Sequence, residues 1–134
     1  MSAPRAKTFE FAAGIDRGGN ATTDGAATLE LGRDWKPEHL VLAGLVRCSI
    51  TSLRYHALRA GITVHASGTA RGLVTKRESD GRYAFVDVSC SIGIALDPPL
   101  EGAELDALLA KAERDCFVGA SLTVRPSYEW RTSA

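Results

Sequence analysis

The chain has 134 residues, a length that suits one domain with a single hydrophobic core. Hydrophobic residues make up 45% and charged residues 24%, which is ordinary globular composition and excludes a disordered tail or a fibrous protein. Sixteen basic and sixteen acidic residues cancel, so no net charge attracts nucleic acid or an anionic membrane. We therefore expect residues 1–134 to form a single domain, with no nucleic-acid and no membrane partner.

The sequence also bears on localisation. The longest run without a polar or charged side chain, residues 40–46, is far too short to span a bilayer. The N-terminal segment MSAPRAKTFEF contains no apolar stretch of the kind found in signal peptides. Three cysteines, odd in number and widely spaced, differ from the disulfide framework of a small secreted domain. We expect a cytoplasmic protein.

In chain order, the first predicted element is a β-hairpin with a long connection. Over residues 8–12 two phenylalanines alternate with polar residues, and residues 27–31 show the same alternation. Between these segments, residues 14–25 are rich in glycine, aspartate and asparagine, the composition of a turn.

A long buried helix is predicted next. Pro37 lacks the backbone N–H that a first helical turn leaves unused, and Gly61 stands where a C-terminal cap is expected. Residues 38–60 contain no proline, and their apolar side chains recur at helical spacing. The apolar surface is broad in the first half, which is typical of a helix buried on most sides.

The second half of the chain predicts two strands, a helix and a last strand. One strand begins near Ile62, and after a turn at residues 79–81 another carries apolar residues on one face from Val86 to Leu96. Residues 122–130 alternate as the last strand. The helix between them carries an apolar stripe of Leu105, Leu108, Leu109, Ala112 and Cys116. The order ββαββαβ, with antiparallel hairpins around two helices, predicts an α+β fold.

The cysteines are the candidate reactive residues. Cys90 belongs to the apolar face of a strand, where a free cysteine acts as a small core residue. Cys48 lies midway along the long helix, and residues 39–77 around it include no acidic residue but six basic ones. Such a region favours the nucleophilic thiolate, although a small core residue beside solvated arginines explains the same pattern. Cys116 faces the interior from the second helix, and sequence alone gives no distance between the two thiols.

Other catalytic patterns are missing from the sequence. There is no CxxC, HxxH or HExxH spacing, and the three histidines are unclustered, so no metal site is predicted. Neither a GxGxxG motif after a strand, nor a P-loop, nor a GxSxG motif is present. We interpret His39 and His65 as surface residues. His56 lies two helical turns after Cys48, too far to act as its direct base.

Three short segments, in register along the chain, carry a family resemblance. The first is Pro37-Glu38-His39-Leu40, followed by Cys48 and then by the helix end Ala60-Gly61-Ile62. The second is AERDCFV around Cys116, and the third is GIDRGG at residues 14–19. Together they resemble the OsmC/Ohr family of thiol-dependent hydroperoxide reductases over nearly the whole chain. The resemblance implies the OsmC-like α+β fold and an intertwined homodimer.

The resemblance also implies a role for each of four residues. Cys48 would attack the peroxide oxygen, and Cys116 would condense with the resulting sulfenic acid to form a disulfide. Because the apolar stripe of the second helix turns Cys116 inward, toward the helix that carries Cys48, we expect that disulfide within one chain. Arg17 would hold the Cys48 thiolate and polarise the peroxide. Glu38 would orient that arginine through a charge-assisted pair.

Two positions depart from the family pattern. Phe117 stands where the family has proline, and we expect it to let the second helix continue through Cys116. Arg47 stands where the family has a small residue before its first cysteine. Arg33 and Arg47 are the alternatives to Arg17 as the arginine that holds the thiolate.

The spacing of Glu38 and Cys48 constrains the site. Ten helical residues rise about 15 Å, so a straight helix that includes Glu38 keeps its carboxylate away from the Cys48 thiol of the same chain. The two groups come together within one chain only if the helix begins after Glu38. Otherwise Glu38 and Arg17 must reach the thiol across a two-fold interface, which agrees with the homodimer that the resemblance implies.

The resulting prediction is an enzyme that reduces organic hydroperoxides, of alkyl or fatty-acid type, to alcohols. The resemblance implies an external dithiol reductant, of lipoyl or other type, and no cofactor, because the two cysteines carry the electrons. The alternative is a redox-responsive or ligand-binding dimer of the same fold that does not turn over, and Phe117 keeps it open. Cysteine acyl transfer would need a histidine base near Cys48, and no histidine is well placed for it.

Overall fold

The computed structural model describes residues 6–133 and divides into two compact units, one up to Lys36 and one from Pro37 onward. The N-terminal segment used above for localisation rests partly on residues 1–5, which lie outside the described residues. A single domain over residues 1–134 stays a prediction.

The first unit contains a small antiparallel sheet of three short strands. Strand β1 (Ala13–Ile15) pairs with β2 (Ala21–Thr23), and β2 pairs with β3 (Thr28–Leu29). Asp16 closes the first turn, because its Oδ1 accepts a hydrogen bond from the Asn20 N–H at 2.9 Å. The expected strand over residues 8–12 and the expected turn over residues 14–25 are therefore wrong.

The predicted strand over residues 8–12 is wrong because its alternating side chains are not buried. Phe9 and Phe11 are exposed, so their alternation does not mark a face that a sheet buries. Strand pairing is set instead by the hydrogen-bonded turn after β1, which brings Ile15 opposite Ala21.

The second unit begins with helix α1 (Pro37–Arg59), which starts and ends as the sequence predicts. Gly61 adopts a left-handed φ of 75°, and its N–H donates to the Leu58 carbonyl at 3.0 Å. The Ile62 N–H donates to the Ala57 carbonyl at 2.8 Å, which completes a Schellman cap.

A long antiparallel hairpin follows the helix. Strands β4 (Thr63–Lys76) and β5 (Tyr83–Asp97) pair along their whole length, with one bulge in β5, where Val86 is the extra residue opposite Leu73 and Val74. The turn between the strands is the one predicted at residues 79–81. The apolar face of β5 is buried as expected, through Val88, Cys90, Ile92 and Ile94.

The end of the chain differs from the prediction in three ways. Helix α2 (Gly102–Arg114) stops before Cys116, and a separate short helix α3 (Phe117–Ser121) follows. Strand β6 (Ser127–Thr132) starts after Pro126, which has no N–H to donate to a ladder, so residues 122–124 are not part of it. In addition, β6 pairs with β5 in parallel, because a helical connection returns the chain to the end of the sheet where β5 began.

These elements form the predicted α+β fold, with a mixed sheet of order β4-β5-β6 in the second unit. Helix α1 packs against β4, α2 and α3, and the core between them is centred on Leu45, Leu53, Ile92 and Cys116. Within residues 6–133, none of the helices has both the length and the hydropathy needed to cross a bilayer.

Candidate active site

The fold brings Cys48 and Cys116 of one chain into contact. Cys48 lies on the middle of α1, and Cys116 lies in the short link between α2 and α3. Cys48 packs against the core cluster that contains Cys116, the two thiols are close enough for Cys116 to raise the pKa of Cys48, and both thiols are free. Cys116 is completely buried, whereas Cys48 is half-buried and so is the more accessible of the two.

Cys116 has an extended backbone, with φ −77° and ψ 109°, because it caps α3 rather than extending α2. Its Sγ accepts a hydrogen bond from the Gly119 N–H at 3.4 Å. The expected continuation of the second helix through Cys116 is therefore wrong. Phe117 permits a helix, but at this position it starts a new one.

Burial raises the pKa of the Cys48 thiol above its usual value, and the neighbouring Cys116 thiol raises it further. The backbone N–H groups of Val118 and Phe117 contact the Cys48 sulfur and lower its pKa in part. The expectation that the basic residues of the 39–77 region favour the thiolate is not met in this unit. Side chains such as Arg47 and Arg54 are exposed to solvent, so the desolvation of the sulfur dominates.

A polar pair lies on the buried side of Cys116. The Ser49 Oγ lies 3.5 Å from the Cys116 Sγ and 2.9 Å from the Tyr128 Oη, and it donates to the Leu45 carbonyl at 2.8 Å. Ser49 is completely buried, and Tyr128 is half-buried. Burial raises the pKa of Tyr128 well above its usual value, so its phenol is neutral and keeps its hydrogen.

The Tyr128 ring is fixed by its neighbours on β6 and α2. It stacks on the Trp130 ring with centroids 5.5 Å apart and an angle of 5° between the planes. The Trp130 Nε1–H donates to the Glu113 Oε2 at 2.9 Å. This face of β6 is thereby tied to the helix that leads into Cys116.

A second polar contact ties the residue before Cys116 to α1. The His56 Nε2 and the Asp115 Oδ2 are 2.7 Å apart, and Arg114 donates two hydrogen bonds of 2.9 Å to the same carboxylate. Arg114 and, to a smaller extent, His56 lower the pKa of Asp115 to about 2. The pair anchors the link between α2 and α3 at Asp115, next to Cys116.

Cys90 is a core residue, as predicted. It is 2% exposed and lies opposite Tyr128 in the β5–β6 pairing. Burial raises its pKa to about 11, so its thiol is protonated at neutral pH.

Of the other two predicted site residues, Glu38 shares a helix with Cys48 and Arg17 belongs to the other unit. Glu38 is exposed in the first turn of α1, which begins at Pro37 and not later, so about 15 Å of helix separates it from Cys48. Arg17 belongs to the first unit and is exposed in the turn after β1, between Ile15 and Asn20. Arg33 is exposed in the first unit, and Arg47 is exposed on α1.

Four residues around the thiols were not predicted as site residues from the sequence. Ser49 was visible as a polar residue inside an apolar helical stripe, which predicts a buried hydroxyl in need of a partner. Tyr128 alternates with other inward residues of the last strand, and its hydroxyl gives the same signal. His56 and Asp115 carry no comparable signal, because their contact depends on where α2 ends.

Comparison with known proteins places the chain in a family. The model of the OsmC-like protein family matches residues 30–131, which include both thiols of the site and Glu38. The chain therefore belongs to the OsmC-like protein family. A search of curated proteins found no match.

Solved structures agree on the fold. An OsmC-like protein of unknown function from Vibrio cholerae superposes with a TM-score of 0.77 at 16% identity, covering 92% of this chain and 99% of that one. An organic hydroperoxide resistance protein from Legionella pneumophila gives 0.60 at 21% identity, with coverages of 98% and 100%. The organic hydroperoxide resistance protein of Bacillus subtilis gives 0.58 at 18% identity, with coverages of 95% and 98%. At these identities the likeness is one of fold.

Proposed function

We propose that the protein is a thiol-dependent peroxidase that reduces organic hydroperoxides, of alkyl or fatty-acid type, to alcohols. The contact between the half-buried Cys48 thiol and the buried Cys116 thiol in one chain is the observation that carries the proposal. Membership of the OsmC-like family, and the fold shared with organic hydroperoxide resistance proteins, support it.

In the proposed reaction, the Cys48 thiolate attacks the terminal peroxide oxygen, the O–O bond breaks, and the alkoxide leaves and takes a proton to become the alcohol. Cys48 becomes a sulfenic acid. The Cys116 sulfur then attacks the Cys48 sulfur, the S–O bond breaks, and the departing hydroxide with the Cys116 proton becomes water. An external dithiol, of lipoyl or other type, reduces the disulfide with two electrons and is itself oxidised to a disulfide.

Arg17 and Glu38 complete the proposal. Within the second unit burial raises the pKa of Cys48, so neutral-pH reactivity calls for a cation at the sulfur. We assign that role to Arg17 and assign its orientation to Glu38. About 15 Å of helix separates Glu38 from the Cys48 thiol of its own chain, so the proposed site is composite and belongs to a homodimer. We propose a cytoplasmic location for this dimer.

A thiol titration tests the function directly. The reduced protein is treated with one equivalent of cumene hydroperoxide, and free thiols and intact mass are measured before and after. We expect the loss of two thiols per chain, release of the alcohol and an intrachain disulfide. Loss of no thiol, or a covalent dimer, overturns the two-cysteine mechanism and favours the redox-responsive or ligand-binding dimer that does not turn over.

A further inference from the structure

We infer that Ser49, held in place by Tyr128, is the hydrogen-bond donor that stabilises the Cys116 sulfur as it becomes a thiolate. Ser49 touches the reacting sulfur and is in that sense catalytic, whereas Tyr128 is a positioning residue that acts through Ser49. The inference rests on the two-cysteine reaction proposed above and assigns the residues that serve its second step.

The positions of the hydrogens follow from the distances. Ser49 has one hydroxyl hydrogen, and in the reduced protein it goes to the Leu45 carbonyl at 2.8 Å. The hydrogen in the 2.9 Å contact between Ser49 and Tyr128 therefore comes from the tyrosine. Because burial raises the pKa of Tyr128, the phenol retains that hydrogen.

The same geometry allows Ser49 to change acceptor. The Cys116 Sγ lies 3.5 Å from the Ser49 Oγ, so rotation about the C–O bond turns the hydroxyl hydrogen from Leu45 to the sulfur without moving a heavy atom. The tyrosine hydrogen continues to occupy the other side of the Ser49 oxygen. A thiolate at Cys116 would then accept two hydrogen bonds, from Ser49 and from the Gly119 N–H at 3.4 Å.

Burial makes the donor necessary. Cys116 and Ser49 are both 0% exposed, so solvent does not reach the sulfur to stabilise a negative charge. Tyr128 lines a surface cleft of about 500 Å³ together with Trp130 and Gly119. Of the two hydrogen-bonded residues Ser49 and Tyr128, only the tyrosine therefore borders this cleft.

Ser49 serves both directions of the disulfide chemistry. In resolution, the Cys116 sulfur attacks the Cys48 sulfur while its proton passes to the sulfenic-acid oxygen, so the S–O bond breaks, water leaves, and the Cys116 sulfur gains thiolate character during the step. In reduction, an external dithiol attacks the Cys48 sulfur, the S–S bond breaks, and Cys116 leaves as a thiolate that then takes one of the two protons that the dithiol gives up. The Ser49 O–H stabilises the same negative charge in each case.

The experiment separates the two oxidation steps. Reduced protein is mixed with one equivalent of cumene hydroperoxide, and intact mass after acid quenching follows the sulfenic acid, the disulfide and the sulfinic acid. We expect Ser49→Ala to form the sulfenic acid at the wild-type rate but to form the disulfide about ten- to a hundred-fold more slowly, the effect of one hydrogen bond to a charged group. Sulfinic acid should accumulate in excess peroxide.

Matched variants distinguish this role from a merely structural one. Ser52→Ala removes another buried hydroxyl of α1, one whose Oγ has no hydrogen-bond partner within the described residues, and it should leave both steps unchanged. Ser49→Thr keeps the hydroxyl and should restore most of the resolution rate. Tyr128→Phe should slow resolution in wild type but not in the Ser49→Ala background, because it acts through Ser49.

A second measurement does not depend on peroxidase activity. The disulfide is formed with diamide, and the rate of its reduction by dithiothreitol is followed. Ser49→Ala should slow this reduction about ten-fold or more relative to Ser52→Ala. Equal rates for the two variants overturn the inference, even if the wild type consumes hydroperoxide. If the wild type consumes no hydroperoxide but Ser49→Ala still slows the reduction, the proposed function fails and the role of Ser49 stands.

Discussion

Three cysteines lie close together in the second unit, and their surroundings give them different chemistry. Cys48 is half-buried and touches two backbone N–H groups, Cys116 is buried beside a hydroxyl pair, and Cys90 is buried in the sheet. The pKa of Cys90 is raised to about 11, which leaves it unreactive near neutral pH. Burial and hydrogen bonding therefore give the three thiols different environments.

This division predicts opposite outcomes for two cysteine variants. Cys48→Ser should abolish consumption of cumene hydroperoxide, because a serine hydroxyl does not ionise near neutral pH. Cys90→Ala should keep nearly the wild-type rate and lower the free energy of unfolding by about 1 kcal/mol or more, since it leaves a small core cavity. Peroxide assays and urea unfolding measure the two effects. An inactive but folded Cys90→Ala protein would mean that the resolving thiol is wrongly assigned.

The raised pKa of Cys48 leads to a test of Arg17. If Arg17 holds the thiolate, Arg17→Ala should shift the pH dependence of Cys48 alkylation to higher pH and reduce the peroxidase rate. Glu38→Gln should have a similar but smaller effect, and the two substitutions should be strongly non-additive. Additive effects of the two substitutions would argue against contact between Arg17 and Glu38. If Arg33→Ala, and not Arg17→Ala, shifts the pH dependence of Cys48 alkylation to higher pH, Arg33 is the arginine that holds the thiolate. Peptide mass spectrometry follows the alkylation of Cys48 alone.

At the scale of secondary-structure elements, the break between α2 and α3 positions the second thiol. Asp115 ends α2 and binds His56 of α1, and Cys116 then turns extended and caps α3. A continuous helix through Cys116 would leave the Gly119 N–H bonded to a backbone carbonyl instead of to sulfur. The short α3 therefore sets the hydrogen bonding of the Cys116 sulfur.

The anchor at Asp115 predicts a pH dependence of stability. Its pKa is lowered to about 2 in the folded protein, so its stabilising contribution is fully present above the usual aspartate value near pH 4 and is lost as pH falls toward 2. Asp115→Asn should lower the urea midpoint at pH 7, and the difference from wild type should shrink over that acidic window. Asp106→Asn, at an exposed position of α2, should change little at either pH. A difference that persists unchanged at pH 2 would argue against the ion pair.

The start of α3 allows the N–H of Phe117 to be tested apart from its side chain. Phe117→Pro fits the first position of a helix, and the extended backbone of Cys116 is the conformation that precedes proline. It removes an N–H that contacts the Cys48 sulfur, so the pKa of Cys48 should rise relative to Phe117→Ala, which keeps the N–H. The pH dependence of Cys48 alkylation measures the difference. Identical profiles would show that this N–H does not matter to the thiol.

At the scale of the whole molecule, the placement of Glu38 leads to the proposed composite site. About 15 Å of α1 separates its carboxylate from the Cys48 of the same chain, so the two act together only if they come from different chains. Two active sites per dimer would each take Cys48 from one protomer and Glu38 from its partner.

Mixing two inactive variants tests this arrangement. When Cys48→Ser and Glu38→Gln chains are refolded together in equal amounts, random pairing should restore about a quarter of the sites, because half of the dimers carry one intact composite site. Refolding each variant alone is the control and should give only its own residual rate. A mixture no more active than the mean of the two controls would place Cys48 and Glu38 of each site in one chain.

The sequence alone was sufficient where local rules decide the structure. Pro37 and Gly61 gave the bounds of α1 because a helix begins and ends through its own backbone, and the alternation of β5 gave its buried face for the same reason. The succession of antiparallel hairpins and helices predicted the α+β class, and the three family-like segments indicated Cys48 and Cys116 as the two thiols to examine. Cys90 was recognised as a core residue from its place in a strand.

Tertiary structure decided what depends on contacts between distant segments. The parallel pairing of β6, the stop of α2 before Cys116 and the Ser49–Tyr128 contact each join residues far apart in the chain, so no local period encodes them. The direction of the Cys48 pKa shift was likewise missed, because the nearby arginines in the sequence point to solvent while the sulfur loses water. The number of basic residues in a segment does not determine the pKa of a thiol, which depends on the distance of each charge from the sulfur and on burial.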